Sequence, residues 1–414
     1  MFLIRLAIKN LKRHKKRTLL TAAVIAVAVF FYIFYDSLMI GMRDKSFENI
    51  INFESAHMQI ANDNYWDKRE EFPLEDLMFN SKDILNEISS IENYKAASPQ
   101  LKFMARINNG IDELPVPVRG VIAEREKEVF NTGDYFVKGN FFNNKENKAV
   151  MGEKLASIMN LDKGDYFTLV FRTKENTFNT VELEVDGLLK TPNPNINSNR
   201  VYIPLPLAQK ILNLEDKITQ IAIRLENKNN LENKLSNINN KLDNNISAYS
   251  WRESASSMIN ISQVQKLENR IILSIILIIA TLGIVNTIIL AGIERIEEIG
   301  MMKALGLKER EIILSFVYES TGIAIIGGLI GSFLAFLAVA FFHNYGINFF
   351  TIMGDNIDLN SYGMPISGTV YGGWNLSTFI FIFFFVTIIS SIISIFPAIW
   401  AARKDVVKSI HHRK

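Results

Sequence analysis

Leu19-Leu-Thr-Ala-Ala-Val-Ile-Ala-Val-Ala-Val-Phe-Phe-Tyr-Ile-Phe-Tyr-Asp-Ser-Leu-Met-Ile40 follows closely on a basic run, Lys12-Arg-His-Lys-Lys-Arg17. A bilayer-crossing helix needs about 20 mainly apolar residues. Leu, Ile, Phe and Val each contribute roughly −0.3 to −0.6 kcal/mol at mid-membrane, where a charge costs roughly 2.5–3.5 kcal/mol. This stretch meets both conditions. Its apolar run is too long for a signal-peptide core, and Tyr35, Asp36 and Met42 follow instead of a small-x-small cleavage pattern. It reads as an uncleaved anchor.

Three further stretches have the same length and composition: 271–293, within 312–342, and within 376–400. The placement of Lys and Arg orients all four. Arg5, Lys9, Lys12, Arg13, Lys15, Lys16 and Arg17 precede the first span, and Arg295, Lys303, Lys308 and Arg310 lie between the second and third. Arg403, Lys404, Lys408, Arg413 and Lys414 follow the fourth, whereas His343 to Asn375 contains neither Lys nor Arg. Both termini and the middle loop are therefore expected in the cytoplasm.

The expected organisation is a basic cytoplasmic segment at 1–17, a first transmembrane helix at 18–42 and an extracytoplasmic domain with stalks at 43–268. A second span at 269–293, a cytoplasmic coupling helix at 294–311 and a third span at 312–342 follow. An outside loop at 343–375, a fourth span at 376–400 and a cytoplasmic tail at 401–414 complete it. The 414 residues are 48% hydrophobic with a net charge of +2, which fits membrane helices joined to a soluble domain.

The absence of cysteine excludes disulfides, thiolate metal sites and thiol nucleophiles. His14, His57, His343, His411 and His412 show no ligand spacing beyond the terminal pair, which reads as a solvated tail. No phosphate-binding loop, dinucleotide fingerprint, nucleophile elbow or zinc-protease motif is present. The carboxylate groups Glu70/Glu71 and Glu124/Glu126/Glu128 read as solvated faces. No catalytic residue, metal site or nucleic-acid surface is expected.

In the outside segment Val181-Glu-Leu-Glu-Val185 alternates strictly and reads as a strand, as do Phe167–Phe171 and Ile218–Leu225. Pro115–Val121 reads as an edge strand, because Pro cannot donate to a central ladder. Thr191–Asn197 reads as a turn or loop. Ser81–Ile91 is a helix with a Ser cap, and 227–245 places Leu231, Leu235, Ile238 and Leu242 at helical spacing. Residues 39–51 and 250–270 continue the first two spans outward without Gly or Pro, apart from Gly41, and read as helical stalks.

The informative loop is Glu294-Arg-Ile-Glu-Glu-Ile-Gly-Met-Met-Lys-Ala-Leu-Gly306. Ile299, Met302 and Leu305 lie near one helical face, flanked by Glu294, Arg295, Glu298 and Lys303. An interfacial connector and a helix docking into a partner's groove fit this pattern equally.

Arg295-x-x-Glu298-Ile299-Gly300-x-x-Lys303-Ala304-Leu305-Gly306 resembles the R-x-x-E-I-G-x-x-K/R-A-L-G signature of the FtsX/MacB-type permease superfamily. Ile284-Val-Asn-Thr287, Phe316-x-x-Glu319 with Gly322, Gly327, Gly328 and Gly331, and Pro397-Ala-x-x-Ala401-Ala-Arg403 are similar to further motifs of that family. So is Asn10-Leu-Lys-Arg-x-Lys-Lys-Arg-Thr-Leu-Leu20. Pro99-Gln-Leu101, Val118-Arg-Gly-Val121, Val150–Ala156 with Gly164-Asp165, Val201-Tyr-Ile-Pro204 and Trp251 fall in an order resembling the lipoprotein-releasing (LolC/LolE) permeases.

The resemblance implies a membrane α-helical protein with a large α+β outside domain, built as a porter-like α/β unit with a β-rich insertion. It implies a permease subunit in the bacterial inner membrane that releases lipoproteins by mechanotransmission. Export of peptides, toxins or drugs, as in MacB, and non-transporting signalling, as in FtsX-type proteins, are the alternatives. The implied ATPase contact is Glu294, Arg295, Glu298, Ile299, Gly300, Met302, Lys303, Ala304, Leu305 and Gly306. ATP and Mg²⁺ would be bound by two copies of a separate ATPase, not by this chain. Further implied partners are a second permease chain (self or paralogue), membrane lipids, and a periplasmic chaperone or adaptor. The turn at 174–179 is short and lacks Pro, unlike the hook that recruits a chaperone in one such permease, which argues against recruitment by that route.

Phe31, Tyr35, Leu38 and Met42 share one face of the first span and are candidates to line a cavity for acyl chains; helix packing or lipid exposure explains the same face. Gly327-x-x-x-Gly331 permits close helix approach. Glu319 reads as snorkelling to the cytoplasmic interface or pairing with Lys308 or Arg310.

Overall fold

The computed structural model describes residues 2–13, 15–79, 82–142, 147–227, 230–243, 245–293, 301–303, 306–348 and 369–402. The described residues form two compact units, one from those within 2–44, 263–348 and 369–402, the other from those within 45–262.

In chain order the elements begin with α1 (Phe2–Arg13), α2 (Lys15–Ile50), a π-helical turn (Ile51–Ser55), β1 (Met58–Asn62) and α3 (Asp63–Asp67). Next come β2 (Met78–Phe79), α4 (Lys82–Ser89), β3 (Tyr94–Asn108), β4 (Glu113–Val121), α5 (Ala123–Val129), β5 (Phe136–Gly139), β6 (Lys148–Gly152) and α6 (Glu153–Ile158). They continue with β7 (Tyr166–Arg172), β8 (Phe178–Leu189), α7 (Pro194–Asn199), β9 (Val201–Pro204), α8 (Leu205–Ile211), β10 (Lys217–Ile218), β11 (Gln220–Leu225) and α9 (Leu231–Asn239). The last are β12 (Ile246–Ser250), α10 (Trp251–Ser254), α11 (Ser256–Ile293), α12 (Glu309–Tyr345), β13 (Ile347–Asn348), β14 (Thr369–Val370) and α13 (Leu376–Ala402).

The first unit is helical. Among the described residues three helices are long and apolar enough to cross a membrane: Thr18–Ser55, Glu309–Tyr345 and Leu376–Trp400. The stretch expected as the second span is helical throughout, as the C-terminal part of α11. Side-chain pairings fix the directions of the long helices. Gly327 and Gly331 of α12 meet Ala22 and Ala26 of α2, so these two run parallel. Tyr35 donates to Asn269 at 3.2 Å while Val24 lies against Gly283, so α11 runs antiparallel to α2. Thr321 pairs with Ser391 at 2.7 Å and Gly328 meets Phe383, so α13 runs antiparallel to α12. Ala22, Ile25, Val29, Ile33, Ile323 and Val386 form the shared core. Large apolar side chains such as Leu329, Phe333, Phe384 and Phe396 remain exposed on the outer faces, the pattern of helices whose surroundings are themselves apolar. The basic segment expected at 1–17 contains the helix α1, with Ala7 buried and Leu11 packed on the core.

The second unit is a mixed sheet in the order β12-β1-β11-β3-β4-β9-β6-β8-β5, with β7 pairing both β3 and β8. That double pairing closes a ring, β3-β4-β9-β6-β8-β7-β3, onto which β11, β1 and β12 are added as an open extension. The 15-residue β3 belongs to both parts: Tyr94–Gln100 pairs with β11, and Ala105–Asn108 pairs with β7.

Alternation divides the sheet into two faces. Met58, Ile60, Leu101, Phe103, Val118, Val201, Ile221 and Ile223 join Ile88 of α4, Ala208 of α8 and Ile238 of α9 in the main core. Full burial of a Leu, Ile or Phe side chain contributes about 1.5–3 kcal/mol. Ile84, Leu85 and Ile91, and likewise Leu231, Leu235 and Leu242, pack on this core. The expected cap Ser81 lies outside the described residues.

Three expectations need correction. Pro115–Val121 is an edge only in its first half, because β9 pairs with β4 from Val118 onward. Lys102 of β3 bonds Thr219 beside β11, so even-numbered β3 residues face away from β4. By register Pro115 and Pro117 then present their missing N–H on the side opposite β3, where no strand among the described residues lies beside them. The strand expected at 218–225 is broken at Thr219, whose hydroxyl donates to the Gln100 carbonyl at 2.8 Å. Thr191–Asn197 is not wholly loop: Asn193 accepts from the Asn195 N–H at 2.9 Å and starts α7, with Pro194 in its first turn.

Candidate functional site

Of the residues singled out in the loop between α11 and α12, Glu294, Arg295, Glu298, Ile299, Gly300, Ala304 and Leu305 lie outside the described residues. Met302, Lys303 and Gly306 are placed. The Gly306 N–H donates to the Lys303 carbonyl at 2.9 Å and the Leu307 N–H to that of Met302 at 3.1 Å. Gly306 has φ +92°, a conformation that side-chain-bearing residues rarely adopt. These two bonds form a Schellman motif, which ends a helix and satisfies its last carbonyls. Met302 and Leu307 both pack on Ile312 and Phe316 of α12 and Ala398 of α13. Lys303 pairs with Glu309 at 3.6 Å, and Glu311 accepts from the Lys308 N–H at 2.8 Å at the start of α12. The loop is thus fastened to the ends of two long helices.

Higher in the same unit, a Cβ on Gly327 would stand 2.7 Å from the Ala22 carbonyl oxygen, and one on Gly331 would stand 2.5 Å from that of Ala26. The two glycines let α12 and α2 approach backbone to backbone. Glu319 of α12 is 5% exposed and has an interaction partner, so it is buried rather than displayed at the surface.

Along α2 the candidate cavity residues grade from exposed to buried. Phe31 is 56% exposed, Tyr35 and Leu38 are half-buried, and Met42 is 7% exposed. Asp36, one residue on from Tyr35, accepts from Asn375 at 3.0 Å and Thr378 at 2.7 Å at the start of α13.

The sheet unit holds a polar cluster that the sequence does not announce. Ser98, Gln100 and Lys102 of β3, Arg119 of β4, Tyr202 of β9 and Gln220 of β11 share the face opposite the apolar core, under α5. Glu126 of α5, expected on a solvated face, is fully buried, and that expectation is wrong. Its carboxylate accepts from Arg119 at 3.3 Å, Ser98 at 2.7 Å and Gln100 at 3.0 Å. Glu124 and Glu128, one helical face away, are exposed, as are Glu70 and Glu71. Burial, with the nearby Arg119 and Arg200 guanidinium groups, holds the Lys102 ammonium well below the usual lysine range. Burial also pushes the Tyr65 phenol up to about 12. Their arrangement, with each carboxylate oxygen of Glu126 shared among several donors, is that of a structural network.

The hairpin between β7 and β8 is tight. The Thr173 N–H donates to the Thr177 carbonyl at 2.9 Å, and Asn176 takes φ +61°. Beside it an open groove of about 650 Å³ is lined by Phe72, Leu74, Met104, Arg106, Arg172 and Phe178, among others.

Comparison with known proteins matches residues 18–240 to the MacB-like periplasmic core domain and residues 270–406 to the FtsX-like permease C-terminal domain. The macrolide export ATP-binding/permease protein MacB of Escherichia coli is 25% identical over 56% of this chain and 34% of its own length. The chain thus spans about a third of that relative. An ABC transporter permease of Methanocaldococcus jannaschii is 23% identical over 81% of this chain and 83% of its own. The lipoprotein-releasing system transmembrane protein LolE of Haemophilus influenzae is 25% identical over 59% and 60%. The crystal structure of the periplasmic region of MacB from Actinobacillus actinomycetemcomitans aligns over 52% of this chain and 98% of that one, with 15% identity and a TM-score of 0.37. With a MacB-like core over its first half and an FtsX-like region over its last third, the chain belongs to the FtsX/MacB-type family of ABC transporter permeases.

Proposed function

We propose that this permease is a mechanotransmission subunit in the inner membrane. It crosses the bilayer four times with both termini in the cytoplasm and its sheet unit outside. A separate ATPase dimer contacts residues 294–306, closes on ATP and displaces that segment. Two permease chains and two ATPase chains form the working complex. The chain supplies no nucleotide site; it converts the ATPase movement into movement of the outside unit.

The observation that carries this reading is the fastening of the loop: Met302 and Leu307 pack on Ile312, Phe316 and Ala398 around the Gly306 turn. A push on the loop reaches α12 and α13 through packed side chains rather than through a slack linker. The alternating directions of α2, α11, α12 and α13 and the distribution of Lys and Arg support the four-span plan.

The substrate is amphiphilic, taken laterally from the outer leaflet past Phe31, Tyr35, Leu38 and Met42. Release of lipoproteins is the first reading. MacB-like export is the second, and the tight Thr173–Thr177 hairpin, which projects no proline hook for a chaperone, favours it. Purification of the intact complex in lipid, with mass spectrometry of co-purifying chains and acylated ligands, tests both. Recovery with an ATPase and an acylated polypeptide supports the first reading, and recovery with a periplasmic adaptor supports the second. Recovery without any ATPase overturns the proposal. So does ATPase association that survives both Glu298→Lys and Gly300→Leu.

A further inference from the structure

The two chain segments that enter the sheet unit, at 45–55 and 251–262, are anchored in different ways. The incoming segment ends in the π-turn Ile51–Ser55, with Ile51, Phe53 and Ser55 buried. Single π-turns are rare and are often found at functional sites. The Ser55 hydroxyl donates locally, to the Ile50 and Ala56 carbonyls, whereas Asn49, Asn52 and Glu54, on or just before the turn, are bonded to other parts of the unit. Asn49 donates to the Pro192 carbonyl at 3.0 Å. The Asn52 side chain accepts from Arg224 of β11 at 3.0 Å, and its carbonyl accepts from the Asn131 N–H at 3.3 Å. Glu54 accepts from Asn193 at 2.5 Å and Asn195 at 3.4 Å, while its carbonyl lies 3.5 Å from an Arg119 nitrogen. Gln59 donates to the Ser55 carbonyl at 2.9 Å. Arg224 is held in turn by the Val129 carbonyl at 2.7 Å.

Ala56, just beyond the turn, has φ 55° and ψ −155°, a conformation nearly confined to glycine. Such strain persists only where the surroundings over-determine the backbone. Here the His57 N–H is tied to the Ile223 carbonyl at 3.0 Å and the His57 carbonyl to the Trp251 N–H at 3.1 Å.

The outgoing segment lacks such a socket. Its helix is interrupted at Ala255, between α10 and α11. Trp251 at its start is held by the His57 carbonyl and by the Phe47 ring, 5.6 Å away. From Glu253 onward its ties are mostly exposed ones: Arg69 reaches the Glu253 carbonyl at 2.9 Å and the Ser256 hydroxyl at 3.0 Å, and Ser257 donates to Glu70 at 2.6 Å. Water competes for exposed bonds of this kind, whereas buried bonds to charged groups are costly to break.

We infer that the π-turn at 51–55, seated by Arg119, Arg224, Asn193 and Asn195, is the rigid input through which the sheet unit is driven, and that the Ala255 break makes the 251–262 segment a compliant follower. The anchors lie on two strands, β4 and β11, on the loop at 131, and at 192–195, where a loop leads into α7. Anchors that do not lie on one line transmit both thrust and torque. A helix break held by surface bonds transmits neither well. Glu54, Asn52 and Arg224 are positioning residues in this scheme. The inference rests on the proposed permease function.

The test uses the complex purified through a tag on the full chain, with whatever ATPase accompanies it. Hydrogen exchange is followed with and without ATP plus vanadate. In the unaltered complex, nucleotide changes exchange in β4 and β11. Asn52→Ala and Glu54→Ala are expected to reduce that change at least fivefold while ATP hydrolysis stays within twofold. Glu54→Gln, which keeps the accepting oxygen, restores it. Arg69→Ala and Ser257→Ala leave it intact. Loss of the response in the Arg69 or Ser257 variants, or its survival in Asn52→Ala and Glu54→Ala, overturns the inference. If the unaltered complex hydrolyses no ATP, the permease reading fails instead. The socket is then decided on the chain alone: amides 51–55 are expected to exchange at least tenfold more slowly than 253–257, and equal rates overturn it.

Discussion

The Arg119 guanidinium meets the Glu126 carboxylate at 3.3 Å, with side-chain exposures of 2% and 0%. Seven residues apart in sequence, they join β4 to the helix that covers it. A buried ion pair adds little net stability over a well-packed apolar pair, but removal of one partner strands the other charge. Glu126 also serves Ser98 and Gln100, so its loss orphans three donors at once.

Glu126→Ala is expected to destabilise the sheet unit by about 3–5 kcal/mol, the usual cost of breaking a buried pair. Arg119→Met alone should cost a similar amount. The double variant Arg119→Met/Glu126→Leu is expected to lose less than the two single losses added together. Denaturant unfolding of the full chain, followed by tryptophan fluorescence, measures all three.

Lys102 gives a pH signature. Its pKa is depressed in the fold by burial and by Arg119 and Arg200, relative to about 10.4 in an unfolded chain. The unfolded state therefore binds more protons in the window between the two values, and stability rises with pH there. Lys102→Met is expected to raise the melting temperature at pH 7, with the advantage shrinking as pH approaches 9.5. A constant difference across that range would show that the lysine is not desolvated.

Gly331→Leu is expected to separate α12 from α2, since even a Cβ would stand 2.5 Å from the Ala26 carbonyl oxygen. Overpacking of this kind costs about 1–3 kcal/mol or more. Gly328→Ala, whose Cβ meets only the Phe383 ring at 3.0 Å, should be milder. Resistance to unfolding by increasing SDS in mixed micelles ranks the two.

Gly306→Val forces a β-branched residue into φ +92°. It is expected to open the Met302–Leu307 turn and to lower ATPase association at least tenfold while the sheet unit still melts normally. Co-purification, with the melting curve as control, gives both readings.

Tyr35→Ser and Met42→Ser are expected to impair substrate release while the complex still assembles. Tyr35→Phe, which loses only the 3.2 Å bond to Asn269, should retain most of it. Unchanged release in the serine variants would remove this face from consideration as a cavity.

The long apolar helices were legible in the sequence because membrane burial demands length and composition, and both are visible in 19–40, 312–342 and 376–400. The strands β7 and β8 were legible because one face is apolar and the other wet. β3 was not: it carries Pro99, Gln100 and Lys102, and both its faces are covered, one by the main core and one by α5. Alternation signals a half-buried strand, not one with a buried polar face. Glu126 is hidden for the same reason, since nothing in Glu124–Glu128 tells which carboxylate turns inward. The amphipathic α1 was masked by the cationic run that overlaps it. In the loop before α12 the motif residues are conspicuous, but the turn at its end rests on Leu307, which lies just past the motif.

β3 is common to the closed ring and to the open extension. A one-residue slip there would turn its side chains to the opposite face in both at once. Insertions and deletions should therefore be tolerated poorly anywhere between Tyr94 and Asn108, whereas the Gly110 turn beside it and the Thr173–Thr177 hairpin can change length freely. Among related permeases, the length of this strand is the ruler against which the rest of the sheet unit should be aligned.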